Sequence, residues 1–199
     1  MDATELKLPH AWVDTMFRLW SVLPSAVLAG GALRDLDNGR PVKDLDVFHT
    51  EIEYPVCYLD DGLAKAGYHF HSQCGGTYMM GAAAEVDSTS LYRSNKGLPD
   101  LNLIRLLTGF NLEKIINRVD FGICQIGLSK RDFMVTDAYR RDRVDKCFTL
   151  TRADSVEGVR RSLNRFERLR RKYHDWELRW APEAEEMVSQ AMMLEMVGG

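Results

Sequence analysis

From Ala26 to His49 the chain reads AVLAGGALRDLDNGRPVKDLDVFH, and no other stretch limits its possible folds so closely. Four apolar residues of a buried strand run into a Gly30-Gly31 turn. A short helix carrying Arg34 and Asp35 follows, then a polar loop, then a second strand that opens with Asp44, Leu45 and Asp46. Strand alternation sets Leu45 and Val47 on one face and Asp44, Asp46 and Phe48 on the other, so two carboxylates project side by side. Neighbouring anions are costly without a cation between them. A hard ion such as Mg²⁺ suits the pair, because it binds one or two carboxylates and keeps other positions for phosphates. The glycines let backbone N–H groups approach an anion at the positive end of the helix they open, and Arg34 adds a phosphate fork.

The run GGALRD, followed after a loop by KDLDVF, resembles the signature of the polymerase-beta-type nucleotidyltransferase superfamily. It is most similar to the head domain of class II CCA-adding enzymes and bacterial poly(A) polymerases, in a short, stand-alone, phage-like form. A dinucleotide-binding Rossmann turn fits less well, since the third glycine of its fingerprint is missing and an acidic pair without metal is a poor neighbour for pyrophosphate.

The resemblance implies an α+β (α/β-like) fold: a nucleotidyltransferase head with a mixed β-sheet flanked by helices, plus a C-terminal helical extension. It further implies metal-dependent transfer of a nucleoside monophosphate from a triphosphate, ATP or CTP, to an acceptor hydroxyl. The first choice of acceptor is an RNA 3′ end, with tRNA foremost. Two Mg²⁺ ions would be held by Asp44 and Asp46 with Asp120 as a third carboxylate, and the nucleotide by Gly30, Gly31, Arg34, Asp35, Lys43 and Arg118. Two other readings stay open: nucleotidylation of a protein or small molecule, and a non-catalytic head that binds nucleotide or RNA.

Asp120 enters through DFGICQIGL, an alternating run in which Asp120, Gly122, Cys124 and Ile126 share one side. An acid opening such a strand is placed to join the carboxylate pair of a neighbouring strand. Arg118-Val119-Asp120-Phe121 also resembles the RRDF motif of the closer relatives, whose acid and arginine contact the nucleotide's ribose, although a valine separates the two here. Whether Asp120 meets metal or ribose stays open.

At 199 residues, with 45% hydrophobic and 28% charged residues, the composition is that of a soluble globular chain, without an apolar run to span a membrane or a secretory signal at MDATELKLPH. Four scattered cysteines form no CxxC pair, which fits a reduced, cytoplasmic protein. The net charge of −3 hides an asymmetry: Lys130 to Arg179 holds fifteen Lys and Arg against nine Asp and Glu.

Much of that charge lies on a basic amphipathic helix expected at about 155–180, with Asp154 and Glu157 as a capping box. Its polar faces carry Arg160, Arg161, Arg165, Arg168, Arg170, Arg171 and Lys172. They are either a solvated surface paired with acids or a contact for RNA or nucleotide phosphates, with Arg160, Arg161 and Arg165 singled out. Glu157 and Arg160 stand at the spacing of the second acid and the arginine of the relatives' EDxxR motif, with Val156 in place of its first acid.

The expected division is a catalytic head over residues 1–137 and a helical extension over 138–199 that ends in an acidic tail. No residues are left for the neck, body and tail domains of full CCA-adding enzymes, so the chain reads as a head of phage-encoded or toxin-like type. Helices are expected at Leu8–Leu23, Val56–Ala66 and Leu112–Val119, the last capped by Asn111. Strands are expected at Tyr68–Gln73, Leu101–Leu107 and Phe133–Thr136, and a hairpin with a mobile loop between Cys74 and Gly97. His69 and His71 read as exposed strand residues, and the oligomeric state stays open.

Overall fold

The computed structural model describes residues 6–75, 86–107 and 110–197. It divides the chain into two compact units, Met1–Ile116 with Ile126–Met134, and Asn117–Gln125 with Val135–Gly199. The first unit contains α1 (His10–Val22), β1 (Val27–Ala29), α2 (Gly31–Asp37), β2 (Asp44–His49), α3 (Val56–Ala66), β3 (Tyr68–Gly75), β4 (Val86–Ser94), β5 (Asp100–Leu106), α4 (Leu112–Asn117) and β6 (Ile126–Leu128). Among the described residues these strands and β7 (Phe133–Val135) form a seven-stranded sheet in the order β3-β4-β5-β2-β1-β6-β7. It is mixed: β2 and β5 run parallel, while β1 with β2, β1 with β6, β3 with β4 and β4 with β5 run antiparallel.

Local sequence accounts for the helix ends. Pro9 precedes α1, where its missing N–H is no loss, and Trp12, Met16, Leu19 and Trp20 recur on the buried face. The Trp20 indole Nε1–H donates to the Ala26 carbonyl at 2.8 Å, which ties the helix to the start of β1. α3 stops at Gly67, whose φ of 98° is left-handed and whose missing Cβ leaves room for the Lys96 stem, 2.6 Å from where that atom would stand. Asn111 caps α4, its Oδ1 accepting from the Lys114 N–H at 2.9 Å.

The sheet face that matters changes character along its strands. Val27, Ala29, Val86, Ile104 and Leu106 form one apolar cluster with Leu112, Ile115 and Ile116 of α4, and Phe48 packs against it. Phe48 shares its face of β2 with Asp44 and Asp46, so that face is apolar and covered at one end, acidic and half-exposed at the other. Leu45 and Val47, on the opposite face, are fully buried.

The second unit is built on α5 (Asp137–Asp145), β8 (Cys147–Leu150), α6 (Val156–Leu169), β9 (Glu177–Trp180) and α7 (Pro182–Val197). β8 and β9 pair in parallel as a small second sheet. Phe148 is its hub: rings of Phe121, Phe166, Tyr173 and Trp176 lie 5.3–5.6 Å away by centroid, mostly edge-on. Buried Asp142 stitches the unit together. It accepts from the N–H groups of Ile123 (2.8 Å) and Thr149 (2.9 Å), the Thr149 hydroxyl (2.6 Å) and the Cys147 thiol (3.3 Å).

Four sequence expectations change. Residues 117–125 belong to the second unit, because Phe121 enters the Phe148 cluster; the compact division therefore does not fall at a single point near 137. The extension is not purely helical, since it holds β8 and β9. The helix expected at about 155–180 ends at Leu169, and Tyr173 and Trp176 continue its apolar stripe from a turn that leads into β9. Its cap is Ser155, whose hydroxyl accepts from the Gly158 N–H, rather than Asp154. The acidic tail is the helix α7. Of the segment between Cys74 and Gly97, the described part is the β3–β4 pairing; residues 76–85 lie outside the described residues. No described helix is long and apolar enough to cross a membrane.

Candidate active site on the acidic sheet face

β2 begins at Asp44 and alternates as read from the sequence: Asp44, Asp46 and Phe48 half-exposed, Leu45, Val47 and His49 buried. Its sheet neighbours are β1 and β5. The parallel pairing with β5 sets Asp44 beside Asp100 and Asp46 beside Asn102, on the same face. The Asn102 amide Nδ2 donates to Asp46 Oδ1 at 2.9 Å. Lys43, with its side chain 86% exposed, brings Nζ to 3.8 Å from Asp44 Oδ2.

One strand away, β1 leads into the Gly30-Gly31 turn. Gly30 has φ 81° and ψ −128°, a conformation that L side chains rarely adopt. Its N–H donates to the Ile126 carbonyl at 2.9 Å, which fastens the turn to β6. Gly31 has no such backbone need, and a Cβ there would meet Arg34 Nη2 at an ordinary 3.6 Å.

Arg34 and Asp35 depart from expectation. They are 3% and 4% exposed, and the guanidinium folds back onto the Asp35 carboxylate, with Nε at 2.7 Å and Nη2 at 2.5 Å from Oδ1. A phosphate fork has to stand in solvent; this pair instead lies packed beneath the turn. Neutralising each other is what permits both charges to be buried.

Asp120 does not open a strand. It precedes Phe121, which bridges Leu150, and a short 3₁₀ turn, Gly122–Cys124; extended structure resumes only at Ile126. The turn is possible because Gly122 lacks a Cβ, which would lie 2.8 Å from Asp142 Oδ2. Both Asp120 oxygens are engaged inside the second unit. Oδ1 accepts from the Phe121 N–H (3.0 Å) and Arg165 Nη1 (2.8 Å), and Oδ2 from the Ser162 hydroxyl (2.9 Å).

Arg165 is thereby an ion-pair partner for Asp120 rather than an outward-facing cation. Arg160 and Arg161 are half-buried, whereas Arg168, Arg170 and Arg171 are exposed. Arg118 is half-buried too; burial first, and then the neighbouring Arg152 cation, lower its guanidinium pKa.

The partner strand is what the sequence reading missed. Asp100-Leu101-Asn102 echoes Asp44-Leu45-Asp46, but the echo by itself does not say that β5 lies beside β2 in register, which the structure shows. Among the described residues no group of three or more His, Cys, Asp or Glu side chains is gathered closely enough to hold a metal ion. His69 and His71 are exposed on β3.

No protein-family model and no curated protein matches the sequence. Solved structures do match. A tRNA-processing enzyme in an apo form superposes over 94% of this chain and 48% of its own, with a TM-score of 0.61 at 19% identity. A tRNA nucleotidyltransferase complexed with a primer tRNA and an incoming ATP analogue matches over 86% and 47%, with a TM-score of 0.56 at 17% identity. A Thermotoga maritima CCA-adding enzyme complexed with tRNA matches over 95% and 43%, with a TM-score of 0.54 at 15% identity. The chain thus spans about half the length of the solved structures it matches. The resemblance drawn from GGALRD and KDLDVF holds at the level of the fold: this is a nucleotidyltransferase-head fold like that of CCA-adding enzymes.

Proposed function

We propose that the chain is a nucleotidyltransferase head that moves a nucleoside monophosphate from ATP or CTP to an acceptor hydroxyl, the 3′ end of a cytoplasmic RNA, with tRNA foremost. The observation that carries this reading is the half-exposed Asp44–Asp46 pair on β2, one strand from the Gly30-Gly31 turn, in a fold like that of tRNA nucleotidyltransferases.

The donor set fits Mg²⁺. Asp44 and Asp46 offer hard oxygens on one half-exposed face, and a Mg²⁺ ion needs only one or two carboxylates when substrate phosphates complete its shell. These two residues would hold the ions, two of them by the resemblance. When bound, such ions neutralise triphosphate charge and acidify the attacking hydroxyl. The remaining roles fall to the chain itself. Gly30 and Gly31 leave the backbone bare for the triphosphate, and Lys43 supplies an exposed cation beside Asp44. The buried Arg34–Asp35 pair holds the turn from below. Asp120, committed to Ser162 and Arg165, orders α6, whose exposed Arg168, with Arg170 and Arg171 just beyond, meets RNA phosphates.

The test is incubation with Mg²⁺, each labelled nucleoside triphosphate in turn and total tRNA, alongside the Asp46→Ala variant. Label at RNA 3′ ends that the variant fails to add supports the reading and names the nucleotide. Label on protein or small molecules moves the acceptor, and no label anywhere removes the transferase.

A further inference from the structure

β2 and β5 open with nearly the same three residues, Asp44-Leu45-Asp46 and Asp100-Leu101-Asn102, laid side by side in parallel register. The first row of this face is carboxylate beside carboxylate, Asp44 and Asp100. The second row is carboxylate beside amide, Asp46 and Asn102, and there the neighbouring strand's side chain donates a hydrogen bond to the acid, Nδ2 to Oδ1 at 2.9 Å. A fourth acid at position 102 would add repulsion to a face that already carries three; an amide adds a donor instead. A hydrogen bond to an ionised carboxylate is among the stronger ones, and it selects one rotamer of the acid.

We infer that Asn102 is the positioning residue of the acidic face: its amide fixes the Asp46 carboxylate in the orientation that receives a divalent cation. The inference rests on the proposed metal-binding role of Asp44 and Asp46 and assigns a partner that role does not require. Asn102 acts through Asp46 and touches neither substrate nor ion. A ligating carboxylate that loses its hydrogen-bonding partner loses metal affinity by roughly 10–100-fold.

The experiment titrates Mn²⁺ into the full chain, without nucleotide, and follows free Mn²⁺ by its paramagnetic resonance signal. Four proteins are compared: the parent chain, Asn102→Ala, Asp46→Asn and the double variant. Asn102→Ala is expected to weaken Mn²⁺ binding about tenfold in the parent background and to change nothing once Asp46 is already Asn. An equal loss in both backgrounds makes Asn102 merely structural, and no loss in either removes the positioning role; each overturns the inference while the metal reading stands. A parent chain that takes up no Mn²⁺ overturns the metal reading itself and this inference with it. Where Asn102→Ala fails to fold, Asn102→Leu keeps the volume, removes the donor and carries the same expectations.

Discussion

Two pairs of acids, one in each unit, live in opposite circumstances. In the second unit Asp142 accepts from four donors and Asp120 from three, so each carboxylate is consumed by the fold around it. In the first unit Asp44 and Asp46 stand half-exposed on one strand face, with Lys43 at 3.8 Å and the Asn102 amide at 2.9 Å as neighbours. An acid wrapped in donors holds structure together, and its removal orphans several buried groups. An acid beside another acid opposes folding, and a cation between the two would relieve the repulsion.

Substitution sharpens that contrast. Asp46→Ala should cut nucleotidyl transfer by at least about 100-fold, while denaturant unfolding stays within about 0.5 kcal/mol of the parent. A parallel loss of stability would erase the distinction between the units. Asp142→Ala reverses the pattern by orphaning the buried N–H of Ile123 and that of Thr149. At about 1–3 kcal/mol for each such donor, it should melt the second unit, visible as lost near-ultraviolet dichroism of the Phe148 cluster.

A smaller effect belongs to Gly30→Ala, which places a side chain at φ 81° and should cost about 1–3 kcal/mol of stability in the first unit. Gly31→Ala has no such strain and should alter nucleotide affinity more than stability, as isothermal titration would report.

His49 supplies a pH handle confined to the first unit. Burial holds its pKa down at about 4 from an ordinary 6.5, against the opposing pull of Glu51. The unfolded chain therefore takes up this proton first as pH falls. Stability from this group is complete above 6.5 and drains away down to about 4. A His49→Phe variant should lose that part of the slope in denaturant midpoints measured across the window.

Much of the first unit was legible because its signals are local. β2 was read from its alternation and α3 from its pattern up to Gly67, and both lie where expected. The fate of Arg34 was not legible, since an arginine beside a phosphate and one folded onto the next residue's carboxylate have the same sequence. Asp120 misled for a related reason: its alternating run is interrupted by a 3₁₀ turn that Gly122 permits and Asp142, twenty residues on, requires. Asn102 was invisible because a parallel neighbour is chosen by chain topology, which no window of sequence contains.

That topology also governs when the acidic face comes into being. Asp46 and Asn102 stand 56 residues apart, and parallel strands are joined only by a crossover, here the passage through α3, β3 and β4. Closing so long a loop costs entropy before any contact returns it, and it slows folding. A chain emerging from the ribosome presents Asp44 and Asp46 long before β5 exists to steady them. A prematurely terminated chain that lacks β5 thus carries the acidic pair without the strand whose Asn102 amide steadies Asp46.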